Sequence, residues 1–430
     1  MNNIALIFPG QGSQYIGMGK SLCEDSKVAK DTFDEANNIL DFDLQKVCFE
    51  GSIGELNKIE NMLLAILTTS VAAFRTLMSE VDINPNYLAG HSLGEYSALV
   101  CSGALSFADA LKIVRLRSNL AKEVAESLKG SMTIIEDAQL SLLEEECKRV
   151  SKSGNIAMIS CYNSHNQYAI SGNQEAVMKV EDRMLEAGAK ITPLIMGAPF
   201  HSSLMEKAAD KLHGELIKYK LNEFKWPVIS NVYALPYENK NAIAQNLSLQ
   251  IMKPVQWNDI INYMVLHNVT TILEVGPQSV LKSLIKSGVY NITTLSYNQK
   301  SDKKILLEAA LKSNDNKGNK PILPSVVTRC LAMSVTTRNR NWDNDEYSEG
   351  VTKPYIRIKE IQEKLDKEGT EASIEDMKEC LDLLYTIFNT KKLPINEQIS
   401  RFNKIFNQTG TEHLFNDFIE RRYLCVKQNS

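Results

Sequence analysis

The pentapeptide Gly90-His91-Ser92-Leu93-Gly94 constrains this chain more than any other stretch. It follows the short apolar run Tyr87-Leu88-Ala89 and precedes Glu95-Tyr96-Ser97-Ala98-Leu99-Val100, which reads as a helix. A strand, a sharp turn and a helix in that order make G-x-S-x-G a nucleophile elbow. Gly90 and Gly94 keep side chains out of a turn where the backbone approaches itself closely. The serine is then held in strained geometry, its hydroxyl exposed beside the positive end of the following helix.

Strands and helices alternate along the chain, which predicts a mainly parallel sheet covered by helices. Ile4-Ala5-Leu6-Ile7-Phe8 reads as a buried strand ended by Pro9-Gly10, and residues 55–80 as a long, largely buried helix. Residues 107–117 form another helical pattern. From about 126 to 196 helical stretches (138–150 and 174–187) alternate with strand-like ones (Met132–Ile135, Ile156–Ile159, Gln167–Ile170 and Ile191–Ile195). That β-α-β-β-α-β order is ferredoxin-like. Val228–Val232, a helix near 242–252 and Ile272–Val275 then resume the larger sheet. The expected fold is α/β: a hydrolase-like catalytic subdomain over 1–125 and 197–295, with a ferredoxin-like subdomain inserted at 126–196.

At 430 residues the chain is long for one core, and two or three units are expected. The polar, aperiodic Ser313–Pro321 places a linker within 296–325, before a mostly helical extension over 326–430. In that extension Ile374, Met377, Leu381, Leu384 and Phe388 mark one apolar face, with Ser373 and Asp376 as its N-terminal cap, and Ile395, Ile399, Phe402 and Phe406 mark another. A net charge of −4 gives no footprint for nucleic acid and no polybasic signal for a membrane surface. No apolar run reaches the ~18 residues that span a bilayer, and no secretory signal is visible at Met1-Asn2-Asn3-Ile4. The eight cysteines are scattered without C-x-x-C spacing and the six histidines are dispersed, so reduced thiols in a cytoplasmic protein are expected, with no metal and no cofactor.

A serine nucleophile needs a base. His201, in Ala198-Pro199-Phe200-His201-Ser202, sits in a loop after a strand-like run and is the best placed histidine; His91 adjoins the serine but should point away from it. Arg117 offers a permanently charged fork for a carboxylate, with Arg115 a rival by position. Gln250 offers a carbonyl to orient the histidine. Gly10-Gln11-Gly12 lacks the third glycine of a dinucleotide loop and the Gly-Lys-Ser/Thr of a P-loop; the alternative is a loop presenting a backbone N–H to an oxyanion.

Phe8-Pro9-Gly10-Gln11-Gly12-Ser13-Gln14, Gly90-His91-Ser92-Leu93-Gly94-Glu95, Pro199-Phe200-His201-Ser202, Gln250 with Pro254-Val255-Gln256-Trp257, and Glu274-Val275-Gly276-Pro277 together resemble the malonyl-CoA:acyl carrier protein transacylases. The resemblance covers roughly residues 4–290. It implies Ser92 as nucleophile, His201 as general base and acid, and the N–H groups of Gln11 and Leu93 as the oxyanion hole. It further implies that Arg117 holds the malonyl carboxylate, that Gln250 positions His201, and that Phe200 narrows the pocket against a methylmalonyl group. The implied substrate is malonyl-CoA and the implied partner a phosphopantetheinylated acyl carrier protein. The chain departs from the family at Met62-Leu63-Leu64, where Thr-Gln-Pro is usual; this implies a drier or differently shaped pocket. Arg329-Cys330-Leu331-Ala332-Met333, Thr337–Trp342 and Gly350–Tyr355 resemble the C-terminal extension of discrete, trans-acting acyltransferases of polyketide synthases. The carrier proteins implied are therefore those of polyketide biosynthesis. An acyl hydrolase that clears stalled carrier proteins, and malonyl transfer for fatty-acid synthesis, are the alternatives.

Overall fold

The computed structural model describes residues 3–151, 155–194, 198–286, 290, 292–315, 325–341, 343–370, 372–411, 414–415 and 418, with the backbone alone for 309–315. Nine strands are described: β1 (Ile4–Phe8), β2 (Tyr87–Gly90), β3 (Gly130–Glu136), β4 (Ala157–Tyr162), β5 (Gln167–Asn173), β6 (Lys190–Pro193), β7 (Val228–Ile229), β8 (Thr271–Glu274) and β9 (Thr293–Ser296). Every residue of β1 is buried, as a strand with helices over both faces must be. It lies at the centre of a five-stranded sheet of order β7-β2-β1-β8-β9 in which every pair is parallel.

Chain order moves from β1 outward through β2 to β7 and then crosses to β8 and β9 on the other flank. Such a reversal leaves a crevice at the carboxyl ends of the central strands, where the loops after β1 and β2 diverge. The loops carrying Gln11 and Ser92 leave the sheet at that edge. The helix Ile59–Glu80 packs among its neighbouring helices and buries Leu63, Leu64, Ile66 and Leu67, all at 1% exposure or less. It is the one described helix with the length and hydropathy of a bilayer span, but 83% of its apolar window is buried inside the protein. It is a core helix.

Residues 130–193 form the second sheet, antiparallel and ordered β4-β5-β3-β6. The helices Leu140–Val150 and Gln174–Glu186 bury Leu143, Cys147, Val177 and Val180 in a separate core with Ile135, Ile159 and Ile170. The ferredoxin-like order read from the pattern is thus the order of the fold. Its last strand is described over Lys190–Pro193, and residue 195, expected at its end, lies outside the described residues. β7 is shorter than expected, because after Ile229 the chain turns back so that Ser230 N–H meets Leu235 C=O.

The chain divides into two compact units, Met1–Asp315 and Asn316–Ser430. The segment expected as a linker over 296–325 is helical over Lys300–Asp315, and Leu306 there is fully buried in the first unit's core. Residues 316–324, which hold the most polar part of that segment, lie outside the described residues, as does residue 342. The second unit is helical through Val326–Thr336, Lys353–Glu368, Ile374–Thr390 and Ile395–Thr409. Ser373 and Asp376 form the expected capping box. Leu381, Leu384, Phe388, Phe402 and Phe406 enter one core, but Ile374 and Ile395 are about half exposed. Each is the first residue of its helix, where the apolar stripe has not yet turned onto its neighbours.

Candidate active site

Ser92 caps the helix Leu93–Cys101 with φ 51° and ψ −108°, a left-handed conformation that costs a non-glycine residue about 1–3 kcal/mol. The turn is tight enough to forbid side chains on both sides of the serine. A Cβ on Gly90 would fall 1.8 Å from the Gly94 carbonyl carbon, and one on Gly94 would fall 2.0 Å from the Phe8 carbonyl oxygen. The loop after β1 is equally close, for a Cβ on Gly10 would lie 2.5 Å from His91 O. This proximity favours the oxyanion reading of Gly10-Gln11-Gly12 over a nucleotide cradle. Among the described residues neither Gln11 N–H nor Leu93 N–H meets a protein acceptor.

Asn231, which follows β7, staples the elbow from the far flank. Its Oδ1 accepts from Ser92 N at 2.7 Å and its Nδ2 donates to Gly90 O at 2.6 Å. The base comes from another loop. His201 Nε2 lies 2.7 Å from Ser92 Oγ, while Nδ1 lies 2.6 Å from Gln250 O and 3.2 Å from Lys253 O. Two carbonyls can only accept, so the ring proton sits on Nδ1 and Nε2 is the free base facing the hydroxyl. The loop is clamped again through His201 N–H to Ile251 O at 2.8 Å. Ser92 and His201 are therefore positioned as a catalytic dyad.

Arg117 is 1% exposed and donates from Nη2 to Ser92 Oγ at 3.3 Å. Its guanidinium lies over Phe200 at 4.2 Å and near Tyr96 at 5.6 Å, and its Nε has no partner. It does not lie on a solvated helix face. Arg115 instead donates to Leu40 O and lies over Phe42, which removes it as a rival. His91 also turns away, to Asn163 Oδ1 at 2.8 Å and against Trp257. A cavity of about 540 Å³ opens above the dyad. Ser92, His201 and Gln11 line one side, and Met132, Asn163 and Gln167 of the small subdomain the other.

The acyl transferase domain family matches residues 5–312 of this chain. A malonyl CoA-acyl carrier protein transacylase of Bacillus subtilis is 37% identical over 399 residues, which are 93% of this chain and 99% of that protein. The Escherichia coli K12 protein of the same description is 37% identical over 309 residues, 72% of this chain and all of its own. Among solved structures, a malonyl-transacylase in complex with a type II polyketide synthase acyl carrier protein superposes with a TM-score of 0.69 at 35% identity, covering 72% of this chain and 100% of that one. The chain belongs to the malonyl-CoA:acyl carrier protein transacylase family. The Escherichia coli match, at 309 residues, is no longer than the first compact unit, whereas the 399 residues of the Bacillus subtilis match exceed that unit and so extend into the second.

Within this family member, the departure at Met62-Leu63-Leu64 is buried. Leu63 is 1% exposed in the main core and is not among the residues lining the cavity. Gln250 contributes its main-chain carbonyl, not its side chain, to His201. The side-chain amide donates to Ser92 O and to Glu95 Oε2, both at 2.8 Å. Asn231, Glu95 and Tyr237 complete the site and escaped sequence reasoning. Glu95 adjoins the elbow motif and so carried a signal, whereas the other two become neighbours only when β7 pairs with β2. Among the described residues no group of three or more His, Cys, Asp or Glu is placed to hold a metal ion.

Burial and the Arg117 charge push the His201 imidazole down to about 3, so it is neutral throughout the physiological range. Nitrogen-15 NMR of labelled histidine should show His201 neutral and protonated at Nδ1 from about pH 5 to about pH 8. Arg117→Ala removes the repelling cation and should raise that pKa toward the ordinary 6.5. A separate prediction concerns the turn. Gly94→Ala should lower stability by about 3 kcal/mol in a urea melt, since the Phe8 carbonyl it meets is main chain and cannot move aside cheaply.

Proposed function

We propose that this chain moves a malonyl group from malonyl-CoA to the phosphopantetheine thiol of an acyl carrier protein through a malonyl-Ser92 ester. The observation that carries the reading is the convergence on one oxygen: Ser92 Oγ is 2.7 Å from the free nitrogen of His201 and 3.3 Å from Arg117 Nη2. As Oγ attacks the thioester carbonyl, His201 Nε2 takes its proton and then returns it to the departing CoA sulfur. The carrier thiol reverses these steps: it gives its proton to His201 Nε2 as its sulfur attacks the ester carbonyl, and Ser92 Oγ leaves as it takes that proton from His201. The N–H groups of Gln11 and Leu93 are assigned to the tetrahedral oxyanion; one such donor is worth about 3–4 kcal/mol.

Arg117 is assigned to the malonyl carboxylate. A buried guanidinium with an unpartnered Nε calls for an anion beside the nucleophile, and a malonyl group brings one. A hydrolase clearing uncharged acyl chains would leave the guanidinium edge beside the nucleophile unused. Phe200 lies against the guanidinium and also lines the cavity, so it both fixes Arg117 and narrows the space at the acyl group. Discrimination of one methyl by such a wall is worth ~1–3 kcal/mol.

The carrier proteins in this proposal belong to polyketide assembly and the setting is cytoplasmic. Support comes from the second helical unit, into which the 399-residue match must extend because it is longer than the first unit. The superposable malonyl-transacylase bound to a polyketide carrier protein supports the same setting.

Intact-protein mass spectrometry tests the reading. Malonyl-CoA should give a malonyl adduct that moves to a carrier protein, and Ser92→Ala should give none. Arg117→Ala should slow malonyl loading ~100-fold, the loss expected for one charge-assisted contact, while acetyl loading changes little. Equal losses for both acyl groups would remove the carboxylate role of Arg117. Truncation after Asp315 should leave malonyl loading intact, because all of the dyad's partners lie in the first unit; loss of loading with retained helical circular dichroism would show that the second unit is needed for chemistry.

A further inference from the structure

We infer that Glu95 is the acidic positioning residue of this site, locking the nucleophile elbow and the loop of the base to one another through Asn231 and Gln250. Among the described residues no carboxylate meets the dyad's histidine, and both partners of Nδ1 are main-chain carbonyls. One step further out a carboxylate is present. Glu95, three residues after the nucleophile and fully buried, accepts from Gln250 Nε2 at 2.8 Å on one oxygen. The other oxygen accepts from Tyr237 Oη at 2.6 Å and from Asn231 N at 3.2 Å.

Each of these contacts leads back to a reacting group. The Gln250 amide held by Glu95 also donates to Ser92 O, and the same residue's carbonyl receives the His201 proton. Asn231, held at its N–H, spans the elbow through Ser92 N and Gly90 O. Elbow and base loop are far apart in sequence, and Glu95 is where their supports meet. Filling the volume does not require a charge, because an apolar side chain of similar size packs as well. What the carboxylate adds is acceptors on both edges at once, which three fixed donors demand.

The groups facing Glu95 are Tyr237 and Asn231 from the chain after β7, Gln250 from the helix Ala242–Gln250, and Arg117 from the helix Phe107–Leu128, with Tyr96 beside it on its own helix. Arg117 supplies the only positive charge among them. Burial nonetheless raises the Glu95 carboxyl to about 7, against which its hydrogen bonds and Arg117 work. Protonation places a hydrogen where one of the three donors now points. The support then loosens on the acid side of neutrality, while His201, far below its ordinary range, does not titrate there.

The inference rests on the Ser92–His201 dyad of the preceding reading but not on the acyl group, so its test uses no malonyl compound. The rate at which a fluorophosphonate labels Ser92 is followed by intact mass between about pH 5 and about pH 9 in the full-length wild type, Glu95→Gln and Tyr237→Phe. Glutamine keeps the shape but sets N–H against N–H in either orientation, at Gln250 or at Asn231. The wild type should lose rate as pH falls through about 7. Glu95→Gln should lower the plateau about 10- to 100-fold and abolish that limb. Tyr237→Phe, which removes one donor to the carboxylate, should move the limb to higher pH. A Glu95→Gln protein with the wild-type rate and limb would overturn the inference, and so would an unmoved limb in Tyr237→Phe. The second result decides the matter if Glu95→Gln fails to fold. A wild type labelled by the phosphonate but not by malonyl-CoA removes the malonyl reading alone.

Discussion

Everything at this site depends on one close approach of main chain to main chain. Gly94 rests on the carbonyl of Phe8, the last residue of the central strand, at a distance that admits no Cβ. The contact seats the elbow helix over the end of β1 and brings the loop after β1 against His91 O. Ser92 is forced into a left-handed conformation, with its hydroxyl lifted clear of the sheet edge. A side chain at Gly90 or Gly94 would push the helix away and separate the nucleophile from every group that acts on it.

The strain at Ser92 is matched by strain at its partner. His201 also has a positive φ, 60°. Two non-glycine residues in this region within one site need surroundings that over-determine them. Those surroundings are polar. The imidazole is fixed by the Gln250 and Lys253 carbonyls and the elbow by Asn231, and the Gln250 amide ties the two together. The segment after Gln250 extends this frame to the small subdomain. Val255 N–H meets Ser160 O, Tyr162 N–H meets Val255 O, and Trp257 packs against His91. The wall of the cavity opposite the dyad is thereby referenced to the dyad itself.

Electrostatics in this enclosed space separates the roles of its ionisable groups. Burial and the neighbouring cation keep His201 neutral, which is the state a general base needs. Burial works in the opposite sense on Glu95, lifting its carboxyl toward neutrality. Arg117, which cannot shed its proton under physiological conditions, remains the fixed charge between them. Its stacking on Phe200 leaves hydrogen-bonding edges of the guanidinium unspent, so an incoming anion finds donors already in place.

Local sequence determined the elements whose causes are local. The glycine pair around Ser92, the apolar run of β1, the β-α-β-β-α-β order of the small subdomain and the Ser373–Asp376 cap each follow from backbone sterics, periodicity or a side chain reaching its own helix end. Ser92 and His201 were legible for the same reason, one on a turn that only such glycines permit and the other on a loop rich in turn formers. The sequence alone did not reveal which atom of Gln250 faces the histidine, or that Arg117 is buried while Arg115 leaves for Leu40. Nor could it show Asn231, Tyr237 and Glu95 converging beneath the nucleophile, or the helix Lys300–Asp315 inside the segment 296–325 expected as a linker. These were decided by tertiary structure. A buried donor or acceptor takes whichever partner the sheet order brings within 3 Å or so, and β7 reaches β2 only after well over a hundred intervening residues have folded between them.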